Sequence, residues 1–174
     1  QKVKPTVLVS VPRLWEGMYK KIFDNVKKAP PINQKLFNFA HFVVMKYRNL
    51  LDTALDNYVT TAPENETEKL INRLVAVILL VPFFVLNKVA QAIMQKVKNV
   101  LGGQMRFALC GAGAMPEHVS VFFRAIGIPI IETYGMTETT GVSCLGEAMW
   151  PKIGAIGKEM PGVQIKLLDE KGRV

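Results

Sequence analysis

Ile130-Ile131-Glu132-Thr133-Tyr134-Gly135-Met136-Thr137-Glu138-Thr139-Thr140-Gly141 opens as an apolar strand, breaks at Gly135 and then presents four polar residues before a second glycine. A buried strand that ends in a hydroxyl-rich loop with a single carboxylate points to a site at a strand's carboxyl end. Hydroxyls can bond phosphate oxygens, and one carboxylate can hold a Mg2+ ion that the phosphates share. An ordinary strand followed by a polar turn has the same composition, and that reading stays open at this point.

The residues just upstream supply context. Met105 to Cys110 is a short apolar run, Gly111-Ala112-Gly113-Ala114-Met115 is a turn of mainly small residues, and Pro116 restarts a helix. Glu117 to Ile126 places Val119, Phe122, Phe123 and Ile126 inward, Gly127 ends it, and Pro129 to Tyr134 is the next strand. Strand, helix and strand within about thirty residues is the βαβ unit of a parallel sheet. The turns at Gly111 and Gly135 both follow strands, so they are expected at one carboxyl edge. The Gly111 turn is not a Walker loop, because no Gly-Lys-Ser/Thr follows, and Pro116 stands where a dinucleotide fingerprint needs its third glycine. Small residues there either let a flat ligand approach the backbone or simply make a tight connection.

Further upstream, Thr6 to Val11 reads as a buried strand, and Pro12 suits the first turn of a helix. Leu14, Trp15, Met18, Tyr19, Ile22, Phe23 and Val26 then recur at helical spacing. Trp15 and Tyr19 suit the core, with an acyl or ring pocket as the alternative. Residues 33–59 read as a long helix, residues 60–65 as a polar break, and Thr67 to Leu101 as a second helix broken or kinked near Pro82. Leu74 to Leu86 carries no charge and is bracketed by Arg73 and Lys88. A spanning helix needs roughly 20 apolar residues. The stretch is therefore read as a buried hairpin partner of the preceding helix, with an interfacial segment that dips into lipid as the alternative. Residues 33–101 form a helical block that interrupts the α/β pattern. Downstream, Val163 to Leu168 alternates like a half-exposed strand, and Asp169-Glu170-Lys171-Gly172 reads as a turn into another. The fold class is thus α/β, βαβ units of a mostly parallel sheet interrupted by a helical insertion. Both ends look truncated.

Composition narrows the function classes. Hydrophobic residues make up 49% and charged ones 21% of the 174, enough for a core and too apolar for general disorder. Cys110 and Cys144 lack CxxC spacing and are expected as reduced, small apolar residues in a cytoplasmic setting. His41 and His118 are isolated, so no His/Cys metal cluster is expected. The net charge of +8 comes entirely from residues 1–103, which hold 15 Lys/Arg against 7 Asp/Glu. No nucleic-acid motif accompanies that excess. A membrane surface, an anionic substrate or a plain solvated helical face fits it.

Tyr134-Gly135-Met136-Thr137-Glu138-Thr139 resembles the Tyr-Gly-x-Thr-Glu signature of the adenylate-forming enzymes. Val11-Pro12-Arg13-Leu14-Trp15-Glu16 is similar to a stretch of the long-chain fatty acid–CoA ligases within that superfamily. So are Leu101-Gly102-Gly103 with Arg106-Phe107, the helical block at 33–101, Gly154 to Lys158, and Pro161-Gly162-Val163. The resemblance covers nearly the whole chain and implies an internal part of the large N-terminal adenylation domain.

It also implies roles. Tyr134 would stack on adenine, Glu132 would meet the adenine edge, and Gly111, Ala112 and Gly113 would wall the adenine and the acyl carboxylate. Thr133, Gly135 and Met136 complete the nucleotide-binding stretch. Thr137 would bond the adenylate phosphate and Glu138 would bind Mg2+, making these two the catalytic candidates. The family often has Gly-Gly-Ala-Pro where this chain has Gly-Ala-Gly-Ala. The implied reaction uses ATP and Mg2+ to turn a long-chain fatty acid into an acyl-adenylate, then passes the acyl group to coenzyme A. The family's phosphate loop and catalytic lysine are not within these residues, so little or no ligase activity is expected of this stretch alone. Two alternatives are an adenylating ligase with another acceptor, such as a carrier protein, and a non-catalytic membrane-docking module. Partners implied are small molecules, with peripheral membrane contact through 74–86 and no nucleic acid.

Overall fold

The computed structural model describes residues 4–57, 65–147, 152 and 154–169. The element order is β1 (Val7–Ser10), α1 (Pro12–Lys27), α2 (Pro31–Ala54), α3 (Glu66–Val100), β2 (Phe107–Cys110), α4 (Glu117–Ala125), β3 (Ile130–Met136), a single 3-10 turn (Thr137–Thr139), β4 (Gly141–Leu145) and β5 (Lys158–Glu159). The five strands form one sheet in sequence order. β1, β2 and β3 are parallel, and β4 and β5 add antiparallel pairs. The α/β reading and the βαβ unit stand, with a sheet that is mixed rather than mostly parallel.

The core lies between one sheet face and the helices. Trp15, Phe122, Phe123, Ile126 and Ile128 are fully buried. Trp15 meets Phe123 edge-on with ring centroids 4.8 Å apart, a preferred aromatic geometry. Its indole N–H donates to Ser10 Oγ at 2.6 Å, so its one polar atom is satisfied inside the core. Tyr19 packs against Phe23, Phe122 and His118. Both aromatic candidates therefore serve the core. His41 lies among Phe23, Phe37 and Phe122, and burial holds its pKa below the usual histidine range. Among the described residues no three His, Cys, Asp or Glu side chains could hold a metal together. Both cysteines are free and buried.

Several expectations need correction. β1 is half-exposed rather than buried, since Val7 and Val9 point away from the helices onto an uncovered sheet face. α2 starts at Pro31, where the missing N–H is harmless, and stops at Ala54. The left-handed Asp56, with φ of 54°, turns the chain out of the helix. α3 is not broken at Pro82. The proline removes one helical N–H, but the residues facing α2 hold the helical path on either side of it.

Leu74 to Leu86 forms a hairpin partner of α2 but is not buried: of these residues only Ala76 is buried, and most of the large side chains are exposed. One side of the helix meets α2 and the rest meets solvent. Val163 to Leu168 is not a strand, because no described strand lies beside it to share hydrogen bonds. The expected turn at 169–172 extends outside the described residues, as does nearly all of the polar break at 60–65.

Candidate active site

Parallel pairing brings the strand ends level. Cys110 is in register with both Ser10 and Glu132, so Pro12, the Gly111 turn and the second half of β3 leave the sheet at one edge. β2 and β3 end toward the same side of the sheet, as expected, but the turn after β3 comes later than expected, at Thr137–Thr139, beyond the level of the Gly111 turn.

The Gly111 turn is latched to β3. Thr133 Oγ1 donates to the Cys110 carbonyl at 3.2 Å. A Cβ on Gly111 would stand 2.6 Å from that hydroxyl, so a side chain there would break the latch. Ala112 sits in the left-handed region with φ of 62°, a conformation costing a non-glycine residue about 1 kcal/mol. At the far end of the turn, Met115 N–H donates a long 3.5 Å bond to Glu132 Oε2. Burial pushes the Glu132 carboxyl above its ordinary range, and the Met115 bond works weakly the other way. Burial, then the Glu132 charge, pushes the Cys110 thiol up to about 11, which makes it a poor nucleophile.

The raised Glu132 pKa has a signed consequence. The fold binds the Glu132 proton more tightly than the unfolded chain does. Stability at this residue is therefore lost as pH rises above the reference carboxyl value of 4.5. Glu132→Gln is uncharged and still offers an acceptor to Met115 N–H. It is expected to melt higher than wild type at about pH 7, with the advantage shrinking toward about pH 4. Thermal denaturation across that range checks this, and a pH-independent difference would contradict it.

β3 continues past Gly135 instead of breaking there. It runs to Met136, pairs antiparallel with β4 and carries a bulge between Tyr134 and Gly135. Gly135 reads as a breaker but is needed for close approach. A Cβ on it would overlap the Gly141 carbonyl oxygen and stand 2.7 Å from Gly141 C and 2.8 Å from Val142 Cα. The Thr137–Thr139 turn then reverses the chain, closed by Thr140 in the left-handed region at φ of 61°.

Thr139 staples this reversal. Its hydroxyl oxygen accepts from Met136 N–H at 3.1 Å and lies 3.0 Å from Met136 O and 3.1 Å from Gly141 O. Thr137 and Glu138 are left exposed at the apex, with Tyr134 exposed on the strand below. Thr139 is the site residue that sequence reading missed. Its signal was a hydroxyl three residues after the position it caps, the spacing of a capping box.

The candidate residues thus occupy two segments of one edge. Gly111, Ala112 and Gly113 form the first. Glu132, Thr133, Tyr134, Gly135, Met136, Thr137 and Glu138 form the second. The bonds from Thr133 to Cys110 O and from Met115 to Glu132 join them. A family model described as AMP-binding enzyme matches residues 1–174. The chain belongs to the AMP-binding enzyme family.

Long-chain-fatty-acid–CoA ligase FadD15 of Mycobacterium bovis is 26% identical over 167 residues, covering 96% of this chain and 24% of that protein. Long chain acyl-CoA synthetase 2 of Arabidopsis thaliana is 29% identical over 170 residues, covering 97% of this chain and 21% of that protein. The chain therefore spans about a quarter of the length of the curated relatives it matches. Among solved structures, the anthranilate CoA ligase AuaEII in complex with anthranoyl-AMP shares 24% identity at a TM-score of 0.38, over 48% of this chain and 17% of that one.

The residues present suit an adenine nucleotide. Tyr134 offers an exposed ring on the strand next to Thr133, which is latched to the Gly111 turn. A lone exposed carboxylate beside a hydroxyl suits Mg2+, which usually takes one or two protein carboxylates and completes its shell with phosphates and water.

Proposed function

We propose that this chain is part of the N-terminal adenylation domain of a long-chain fatty acid–CoA ligase, with residues 33–101 as a helical insertion in that domain. The observation that carries the reading is the shared edge. Parallel register brings Glu132 and Thr133 level with the Gly111 turn, and β3 carries Tyr134, Thr137 and Glu138 onward from that same end of the sheet. The relatedness to FadD15 and to long chain acyl-CoA synthetase 2 supports the long-chain acid and the coenzyme A acceptor.

In this reading Tyr134 stacks on adenine, with Glu132 near its edge and Gly111 to Gly113 as the opposite wall. Thr137 donates to the phosphate that becomes the adenylate, and Glu138 holds Mg2+. The fatty acid carboxylate attacks the α-phosphate and pyrophosphate leaves; a Mg2+ held by Glu138 would supply neutralisation of the phosphate charge there. The coenzyme A thiol then attacks the acyl carbonyl and AMP leaves. The stapled turn keeps Thr137 and Glu138 in place through both steps, a positioning contribution.

The test is ATP–pyrophosphate exchange by the full-length protein with acids of increasing chain length. Exchange is expected to rise with palmitate-class acids over acetate and aromatic acids. Glu138→Gln is expected to lower it about a hundredfold or more, since one charge-stabilising group is lost, with the circular dichroism spectrum unchanged. Exchange that is indifferent to both acid and variant would reject the reading.

A further inference from the structure

We propose that the outer face of α3 rests on an anionic lipid surface as an interfacial helix. α3 carries two apolar stripes rather than one. The inner stripe includes Ala76, Phe83, Ala90 and Met94 and faces the domain. The opposite stripe is Ile71, Leu74, Ile78, Val81, Val85 and Val89, spaced at three and four residues, and every member is exposed. Val81 and Ile78 keep 72% and 70% of their surface in contact with solvent. At 1.5 Å per residue the outer stripe is about 27 Å long, well beyond the scattered apolar residues of an ordinary surface. Over an 18-residue window of this helix mean hydropathy reaches 2.2 while only 6% of the window is buried.

Charge selects the occupant. After Glu66 and Glu68 in its first turn the helix holds no acidic residue; Lys69 pairs with Asp56 and Arg73 bonds the Ala54 carbonyl, while Lys88 and Lys96 are exposed farther along. A protein partner or a second copy has no general need of this sign, whereas anionic headgroups beside an acyl layer match both the stripe and the cations. Lys88 lies over the Phe84 ring, 5.3 Å from its centroid, next to the outer stripe. From there a lysine can reach headgroups while its stem stays in apolar surroundings.

The helix is long and apolar enough to cross a bilayer by composition, but it is packed along α2, whose surface carries Lys35 and Lys46. Crossing would strip that packing or drag these charges into hydrocarbon. Pro82 also leaves the Ile78 carbonyl without its helical N–H donor. That carbonyl needs water or headgroups within reach, which a shallow position supplies.

Flotation of the full-length protein with vesicles of phosphatidylcholine and phosphatidylglycerol tests this, because aggregates sink and lipid-bound protein rises. Wild type is expected to float, and less so with phosphatidylcholine alone. The triple variant Ile78→Gln, Val81→Gln, Val85→Gln keeps good helix formers at exposed positions. It is expected to lose at least about tenfold in bound fraction with an unchanged circular dichroism spectrum. Equal flotation of the variant, or no flotation of wild type, overturns the proposal. So does a wild-type dimer in sedimentation velocity that the triple variant dissolves, since the face then meets a second copy. Flotation does not depend on adenylation, so its failure and a failure of the proposed activity are separate results.

Discussion

Asp52→Ala is expected to lower unfolding stability by about 3–5 kcal/mol, because it removes the carboxylate from a buried charge cluster. Asp52 is fully buried in α2. Arg48 grips it with two bonds, Nε to Oδ2 at 3.0 Å and Nη2 to Oδ1 at 2.9 Å. Asn57 donates to Oδ1 at 3.2 Å, and Arg124 Nη2 of α4 stands 3.2 Å from the same oxygen. The Arg124 side chain keeps only 3% of its surface in solvent, so losing the carboxylate removes a close counter-charge from a buried guanidinium. Arg48 is the more exposed of the two and can swing to water.

The expected ordering in urea denaturation is therefore Asp52→Ala far worse than Arg48→Ala. The double variant Asp52→Ala, Arg124→Met should recover part of the loss, since an apolar group at 124 removes the buried charge that Asp52 offset. A cost below about 1 kcal/mol for Asp52→Ala would mean the cluster behaves like a surface pair. The cluster matters beyond stability. It ties α2 to the helix that packs against the sheet, and α3 is held to the domain largely by its packing along α2.

Little of that cluster was legible beforehand. Arg48 and Asp52 sit four apart on a helix, which reads as an ordinary exposed pair, and Arg124 is remote in sequence. The strands around the site were legible because short apolar runs between small-residue turns leave few other readings. The level edge followed from the βαβ spacing alone. α3 shows the opposite case: a stretch apolar on every side has no period to reveal which side meets protein, so its length and type could be read and its burial could not. Val163 to Leu168 has the right alternation but no neighbouring strand among the described residues, and a strand is a property of a pair. Gly135 misled in a third way. Glycine in a strand marks a turn or a close approach of backbones, and only the β4 return decides between them.

That return makes Gly135→Ala the most disruptive change expected at the site. The new methyl would overlap Gly141 O and crowd Gly141 C and Val142 Cα, which are backbone atoms of a paired strand and cannot rotate away. Either the bulge opens or β4 moves, at about 3 kcal/mol. Gly141→Ala is the informative comparison. Nothing lies within 4 Å of its Cβ, but its φ of 120° penalises any side chain, so about 1–2 kcal/mol is expected from conformation alone. Denaturant midpoints should rank Gly135→Ala below Gly141→Ala, and equal midpoints would mean that β4 yields easily.

Adenylation should suffer more than stability in Gly135→Ala. Thr139 bonds Met136 and reaches Gly141 O, so a shift of β4 pulls on the staple that holds Thr137 and Glu138. A displacement near 1 Å at positioned groups can lower a rate about a hundredfold. ATP–pyrophosphate exchange by folded Gly135→Ala protein, measured well below its melting temperature, separates this loss from unfolding. Wild-type exchange in that protein would mean that Thr137 and Glu138 hold their positions without the β3–β4 approach.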